Sequence, residues 1–333
     1  MKLSLRINDI KTARIIRQVL GFILTVRKDC ILKFTQNEMN IISFDVNNSS
    51  PLFWSSIGQI NFDRYDVIAK DDTIVLDINI ETLFHIMKNY EKAASVAGEM
   101  NIKLQRGQEL QDKTSKTRPI YMVISYIEEI TETQEISHLF SIPVSLSRAN
   151  RGNRLNQPEI VNFSLILDLN CTLISFFQRV ERYKAVDNIN IVANKYGELK
   201  IEFENNVRKT SIKWKGRLDT YTRSDMKKVQ KVPLTDSISS INNNSNNNNG
   251  SNKEYDGNTS SESDDNEDNE ELEMFNEITV NVKSKWWNLS SKIIEVCDTL
   301  QMIIWDQGCV FSCNINDEPS CTLLYVVPGK ILE

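Results

Sequence analysis

The chain has 333 residues, 40% of them hydrophobic, enough for about two domains with cores of their own. Its formal net charge is −6, yet residues 236–275 hold eleven acids and one lysine, which leaves the remainder at about +4, so the acidic total does not exclude an anionic partner. The longest apolar run, VLGFILTV (19–26), is far short of the ~20 residues of a membrane span, and no signal peptide precedes it, so a soluble chain in an intracellular, reducing compartment is expected. Gly (11) and Pro (7) are sparse, together about 5% against an average near 12%, which favours long regular elements.

In chain order, one arrangement recurs four times: a strand, an amphipathic helix, then two strands. KLSLRI (2–7), a helix over about 9–27, CILKF (30–34) and MNIISF (39–44) form the first copy. TIVLDI (73–78), a helix over 81–94, MNIKLQ (100–105) and PIYMVISY (119–126) form the second. The third has VNFSLIL (161–167), a helix through SFFQRVERYKAV (175–186), NINIVA (188–193) and ELKIEF (198–203). EITVNV (277–282), a helix over about 286–300, MIIW (302–305) and CVFSCNI (309–315) complete the set. Extra strands are expected at LFWSSI (52–57), SHLFSIPV (137–144), RKTSIKW (208–214) and CTLLYVV (321–327). Short turns such as NKYG (194–197) and DQG (306–308) favour antiparallel pairing.

Two pairs of repeats predict two similar α+β domains, 1–146 and 160–333, joined by the polar linker 147–159. Residues 222–275 are expected to be a disordered acidic insertion in the second domain, rich in Asn, Ser and acid and nearly free of apolar residues. RGQELQDKTSKTR (106–118) reads as a long loop.

Each helix, laid out at 100° per residue, has an apolar stripe and an opposite polar face. The first buries Ile16, Val19, Leu20 and Ile23 and shows Lys11, Arg14 and Gln18, with Arg17 on the flank. The second buries Leu83, Ile86, Met87, Tyr90 and Ala94 and shows Glu81, His85, Lys88 and Lys92. The third buries Leu173, Phe176, Phe177 and Val180 and shows Gln178, Arg179 and Arg182. The fourth is expected to bury Trp286, Leu289, Ile293, Val296 and Leu300 and to show Asn288, Lys292 and Glu295, a weakly basic face, with Lys285 just before it. For any one helix a solvated face is the ordinary reading. Four repeats packed in register would instead point these faces the same way and form one basic surface, which attracts phosphates without reading bases.

Catalytic patterns are not evident. The two histidines, His85 and His138, have no nucleophile and orienting group around them. No glycine-rich phosphate loop is present and no residues show metal-ligand spacing. The six cysteines include no CxxC pair, and Cys309, Phe311 and Cys313 alternate like one face of a strand, as buried thiols would. Glu128–Glu129 reads as a solvated pair in a loop.

The stretches MKLSLRIND (1–9), FFQRVERYKAV (176–186), IKWKGRLD (212–219), SKWWNLSSKI (284–293) and CVFSCNIND (309–317) resemble the PCNA-like sliding clamps, in particular the Hus/Mec-type subunit of the heterotrimeric DNA-damage checkpoint clamp. The resemblance covers most of the chain outside 222–275. It implies a non-enzymatic α+β clamp without cofactors, nuclear, forming one third of a ring around double-stranded DNA. Two paralogous subunits would complete the ring, a replication-factor-C-like checkpoint loader would place it at primer–template junctions, and the loaded ring would support checkpoint kinase activation. Lys11, Arg14, Arg17, Lys88, Lys92, Arg179, Arg182, Lys285 and Lys292 are then the candidate DNA-facing residues. His138, Phe140 and Ile142 on one edge strand and Lys209, Ser211 and Lys213 on another are the candidate subunit contacts, because a bare strand edge calls for a partner. The rival readings are a homotrimeric replicative clamp, and a scaffold whose acidic segment holds basic proteins such as histones.

Overall fold

The computed structural model describes residues 1–45, 50–69, 72–93, 95–107, 119–131, 133–147, 155–160, 162–183, 186–204, 209–223, 277–297, 299–305 and 307–332. Most of the expected loop 106–118, linker 147–159 and acidic insertion 222–275 lies outside these residues.

The first two helices start where strands end, and a short polar side chain marks each changeover. In the first half the order is β1 (Lys2–Ile7), α1 (Ile10–Leu24), β2 (Asp29–Phe34), β3 (Glu38–Ser43), β4 (Leu52–Gly58), β5 (Arg64–Ile68), β6 (Ile74–Asn79), α2 (Ile80–Lys92), β7 (Met100–Arg106), β8 (Ile120–Thr131) and β9 (Gln134–Leu146). Asp9 caps α1 by accepting from the Lys11 amide at 2.9 Å, and Asn79 caps α2 by accepting from Glu81 at 3.2 Å. Each satisfies one of the amide donors that a helix start leaves open.

The second half runs β10 (Phe163–Asn170), α3 (Ile174–Val180), β11 (Asn188–Ala193), β12 (Leu199–Glu204), β13 (Lys209–Lys213), β14 (Thr220–Thr222), β15 (Ile278–Lys283), α4 (Ser284–Ile294), β16 (Thr299–Trp305), β17 (Gly308–Asn314) and β18 (Cys321–Leu332). The two halves repeat one pairing order, all antiparallel. β5-β1-β7-β8-β9 matches β14-β10-β16-β17-β18. Likewise β6-β2-β3-β4 matches β15-β11-β12-β13. The last residues of β9 meet β6 just as those of β18 meet β15. Among the described residues one pairing crosses between the halves: β4 lies against β18, from Ile57↔Cys321 to Leu52↔Val326.

The main core lies between helices and sheets. Alternation assigns Cys30, Leu32 and Phe34 of β2 to it, and Ile31 to a smaller cluster on the opposite sheet face. That second cluster joins Ile42, Trp54 and Val75 of one half to Val310 and Leu324 of the other, and Leu155 and Ile160 pack against it. Lys33 Nζ donates to the Leu155 carbonyl at 2.6 Å. In the turns, Gly197 and Gly308 have φ of +79° and +135°, and a Cβ on either would lie about 2 Å from a carbonyl oxygen, at 2.0 and 2.1 Å. Only glycine fits both the angle and the space.

Several elements differ from the sequence expectation. The fourth helix ends at Ile294 rather than 300, and Thr299 already belongs to β16. Its buried tryptophan is Trp287, fully enclosed, whereas Trp286 is half-buried, because starting at Ser284 turns the helix by about one residue. The third helix is only Ile174–Val180, extended at each end by a 3₁₀ turn, Cys171–Leu173 and Glu181–Tyr183. Glu128 and Glu129 lie in β8, not in a loop. The strands β5 and β14 were not expected: the first is exposed or half-exposed along its length and the second has three residues, so neither shows a burial period. Cys309 and Cys313 are buried in β17, while Cys171 is exposed.

Candidate nucleic-acid face and subunit edges

The helices stand in a single row. α1 touches both α2 and α4, and α4 touches α3, so the order across the molecule is α2-α1-α4-α3. Apolar side chains fix the roll of each helix: Ile16, Val19, Leu20 and Ile23 in α1, Leu83, Ile86, Met87 and Tyr90 in α2, Phe176, Phe177 and Val180 in α3, and Trp287, Leu289 and Ile293 in α4 are all buried. Ala94 lies outside the described residues. Lys11, Arg14, Lys88, Lys92, Arg179, Arg182, Lys285 and Lys292 are exposed, and Arg17 is half-buried.

Their surroundings divide these residues. Arg14 Nε donates to Glu91 of α2 at 2.9 Å, and Arg17 Nε donates to the other oxygen of the same carboxylate. In the second half the corresponding corner is neutral on one side: Gln178 Nε2 donates to Glu295, just after α4, at 3.2 Å. Glu181 accepts a bond from Ser291 Oγ and so ties α3 to α4. Lys285 Nζ sits 4.1 Å from the centre of the Trp286 ring, a cation–π contact that spreads the ammonium over the half-buried indole. Arg179 and Arg182 have no acidic partner among the described residues. Their charge, unlike that of Arg14 and Arg17, is therefore not offset by a neighbouring carboxylate among the described residues. The role of Glu91 was not legible beforehand, since it lies 74 residues from Arg17.

Burial alone would raise the Glu91 carboxyl, but the bonds and charges of Arg14 and Arg17 outweigh it and hold its pKa below the usual glutamate value. A depressed carboxylate stabilises the fold above its unfolded-state pKa, and that contribution is lost as pH falls through the folded-state pKa. Glu91→Gln is therefore expected to lower the urea midpoint near neutral pH, with the gap to the unchanged chain closing as pH falls below the usual glutamate pKa of about 4.3. A gap that stays constant with pH would remove the charge from this account.

At the sheet margins the six candidate contact residues are spread over two strands. In β9, His138 is half-buried, stacked on Tyr126 with centroids 4.5 Å apart, and its Nε2 lies 2.9 Å from Glu128. Phe140 is half-buried and Ile142 is buried in the core. The most exposed large hydrophobic side chain there is Leu139, 69% exposed, which is not among the candidate contacts. Lys209, Ser211 and Lys213 are exposed on β13, with Lys209 3.2 Å from Glu202 and Lys213 2.7 Å from Glu198. Among the described residues β13 pairs with β12 alone, and β9 pairs with β8 and, at Ser145 and Leu146 only, with β6. Each strand thus keeps one bare edge.

The family profile of Hus1-like proteins matches residues 1–330. The chain belongs to the Hus1-like family. Two curated relatives carry the name DNA damage checkpoint control protein MEC3. The one from Eremothecium gossypii is 22% identical over 265 residues, 68% of this chain and 68% of the relative. The one from Saccharomyces cerevisiae is 24% identical over 271 residues, 60% of this chain and 57% of the relative. Among solved structures, proliferating cellular nuclear antigen from Entamoeba histolytica superposes with a TM-score of 0.56 at 12% identity, over 98% of both chains. The PCNA2–PCNA3 complex from Sulfolobus tokodaii gives 0.58 at 11%, again over 98% of both chains.

This Hus1-like chain therefore has the PCNA fold, an α+β sliding-clamp architecture, as the resemblance implied. Among the described residues, no group of three metal-ligating side chains gathers at one place and no helix is long and apolar enough to cross a membrane.

Proposed function

We propose that this Hus1-like chain is a nuclear, non-enzymatic subunit of a DNA-encircling checkpoint clamp, completed by two paralogous subunits, with the helix row facing the duplex. One observation carries this reading: the β4–β18 junction has unfilled counterparts. Ser145 lies opposite Asp77 of β6 as Lys330 lies opposite Asn281 of β15, so residues 136–141 of β9 occupy the place of 321–326 of β18. Following the β2–β3–β4 and β11–β12–β13 registers in the same way puts residues 209–214 where 52–57 of β4 stand. The pairing that joins the halves inside the chain would thus recur at both bare edges, each with a neighbouring subunit. A bare edge of this kind is normally covered or blunted. The checkpoint name of the relatives supports the damage role, in which a replication-factor-C-like loader places the ring at primer–template junctions and the loaded ring supports checkpoint kinase activation.

Leu139→Arg tests the β9 edge. Burying a leucine side chain contributes about 1.5–3 kcal/mol, so recovery of one paralogous subunit with the full chain is expected to fall roughly 10- to 100-fold while circular dichroism is unchanged. Undiminished recovery of two clamp-like chains with this variant would overturn the edge assignment, and a native mass of three identical chains would favour the homotrimeric alternative.

A further inference from the structure

The turn after α4 and the strand β17 bring two thiols together. Cys297 Sγ donates to Cys313 Sγ at 2.8 Å, and both side chains are buried. The backbone around them is already held in place. The Asn316 amide donates to the Val296 carbonyl at 3.0 Å, and Cys313 lies opposite Leu300 in the β16–β17 register. A disulfide needs its sulfurs about 2.05 Å apart, so an approach of less than about 1 Å would close the pair. Cys313 also lines a cleft of about 500 Å³ between β10, β16 and β17, together with Asp168, Asp219, Gln301 and Asn314. A small polar oxidant can therefore approach the Cys313 position through this cleft. Among the other buried thiols, burial pushes Cys309 and Cys30 far up, and Cys321 up to about 11, which leaves them poor nucleophiles.

We propose that Cys297 and Cys313 form a peroxide-oxidisable dithiol, a modification site that staples the turn after α4 to β17. In the first step the Cys313 thiolate attacks hydrogen peroxide: the S–O bond forms, the O–O bond breaks, and the departing hydroxide takes up the proton that the thiol released, leaving as water. In the second the Cys297 sulfur attacks the resulting sulfenic acid: the S–S bond forms, the S–O bond breaks, and the hydroxyl leaves with the Cys297 proton as a second water. Two electrons pass from the thiol pair to one peroxide. The turn so fixed supports α4, whose exposed side carries Lys285 and Lys292. It also meets α1 through Asn316, whose side-chain amide donates to Gln18 at 3.3 Å. Oxidation would stiffen the joint between the helices of the two halves.

The test treats the full chain with hydrogen peroxide and maps disulfides after digestion that cuts on either side of Phe311, with exposed Cys171 as the reactive control. Linkage of Cys297 to Cys313, retained in Cys309→Ala and absent in Cys297→Ala, is the expected result. The linked chain should melt roughly 5–10 °C higher than the reduced one, since the bridge closes a short loop. Reduced thiols at both positions under peroxide that fully oxidises Cys171 would overturn the proposal. Linkage of either cysteine to a different partner, or a linked chain with an unchanged Tm, would do the same, and mapping on the unsubstituted chain keeps the result independent of how the variants fold.

Discussion

Replacing Trp287 with alanine is expected to lower unfolding stability by about 3–5 kcal/mol, the range for removing a fully buried large aromatic side chain. Trp287 is 0% exposed and stacks on Phe177 with ring centroids 4.7 Å apart and planes 11° from parallel, while Phe311 meets it edge-on at 5.7 Å. The indole thus joins α4 to α3 and to β17 at once. Its Nε1 has no hydrogen-bond partner among the described residues, so Trp287→Phe should lose less, because the buried unpaired donor goes too. Trp286→Ala is the internal comparison. That side chain is half-buried, holds Lys285 over its ring and leaves the Tyr325 hydroxyl donating to its own carbonyl at 2.7 Å, a bond the substitution spares. Urea midpoints of the three variants decide between the neighbours. Equal losses for Trp286→Ala and Trp287→Ala would contradict the helix roll described above.

Arg14→Glu, Arg179→Glu and Arg182→Glu together are expected to weaken retention on closed circular DNA on the order of a hundredfold near 0.15 M salt, with ring assembly unchanged. Every phosphate left without its neutralising cation should flatten the slope of log K against log salt by about 0.9. The three positions do not act alike. Arg179 and Arg182 have no acidic partner among the described residues, so reversing them changes the potential of the row directly. Reversing Arg14 places a second carboxylate beside Glu91 and leaves it the Arg17 guanidinium as donor. The Arg179→Glu, Arg182→Glu double variant should therefore lose most of the retention without the destabilisation that Arg14→Glu adds. Retention equal to that of the unchanged chain at low salt would remove the helix row from the DNA-facing role.

Local pattern carried a good deal of this. Alternation in KLSLRI, CILKF and CVFSCNI, and the 3.6-residue stripe of Ile16, Val19, Leu20 and Ile23, are consequences of one buried face, and burial leaves that period in the residues themselves. The fourfold strand–helix–strand–strand recurrence was legible for the same reason. Phase was less secure: with two adjacent tryptophans, a helix start misplaced by about one residue exchanges the buried and the half-buried ring. Strands without a burial period, β5 and β14, left no mark at all.

What the sequence determined by itself was therefore the kind of element wherever burial leaves a period and, to within about one residue, the side of each helix that faces the core, because both depend on neighbours within a few residues. Tertiary structure alone decided that Glu91 gathers Arg14 and Arg17, that Glu181 of the basic stretch SFFQRVERYKAV serves Ser291 rather than solvent, and that β4 finds β18. Those pairings join residues tens to hundreds of positions apart, and hydrogen bonds or charges at such separations impose no periodicity that a local stretch of chain could display.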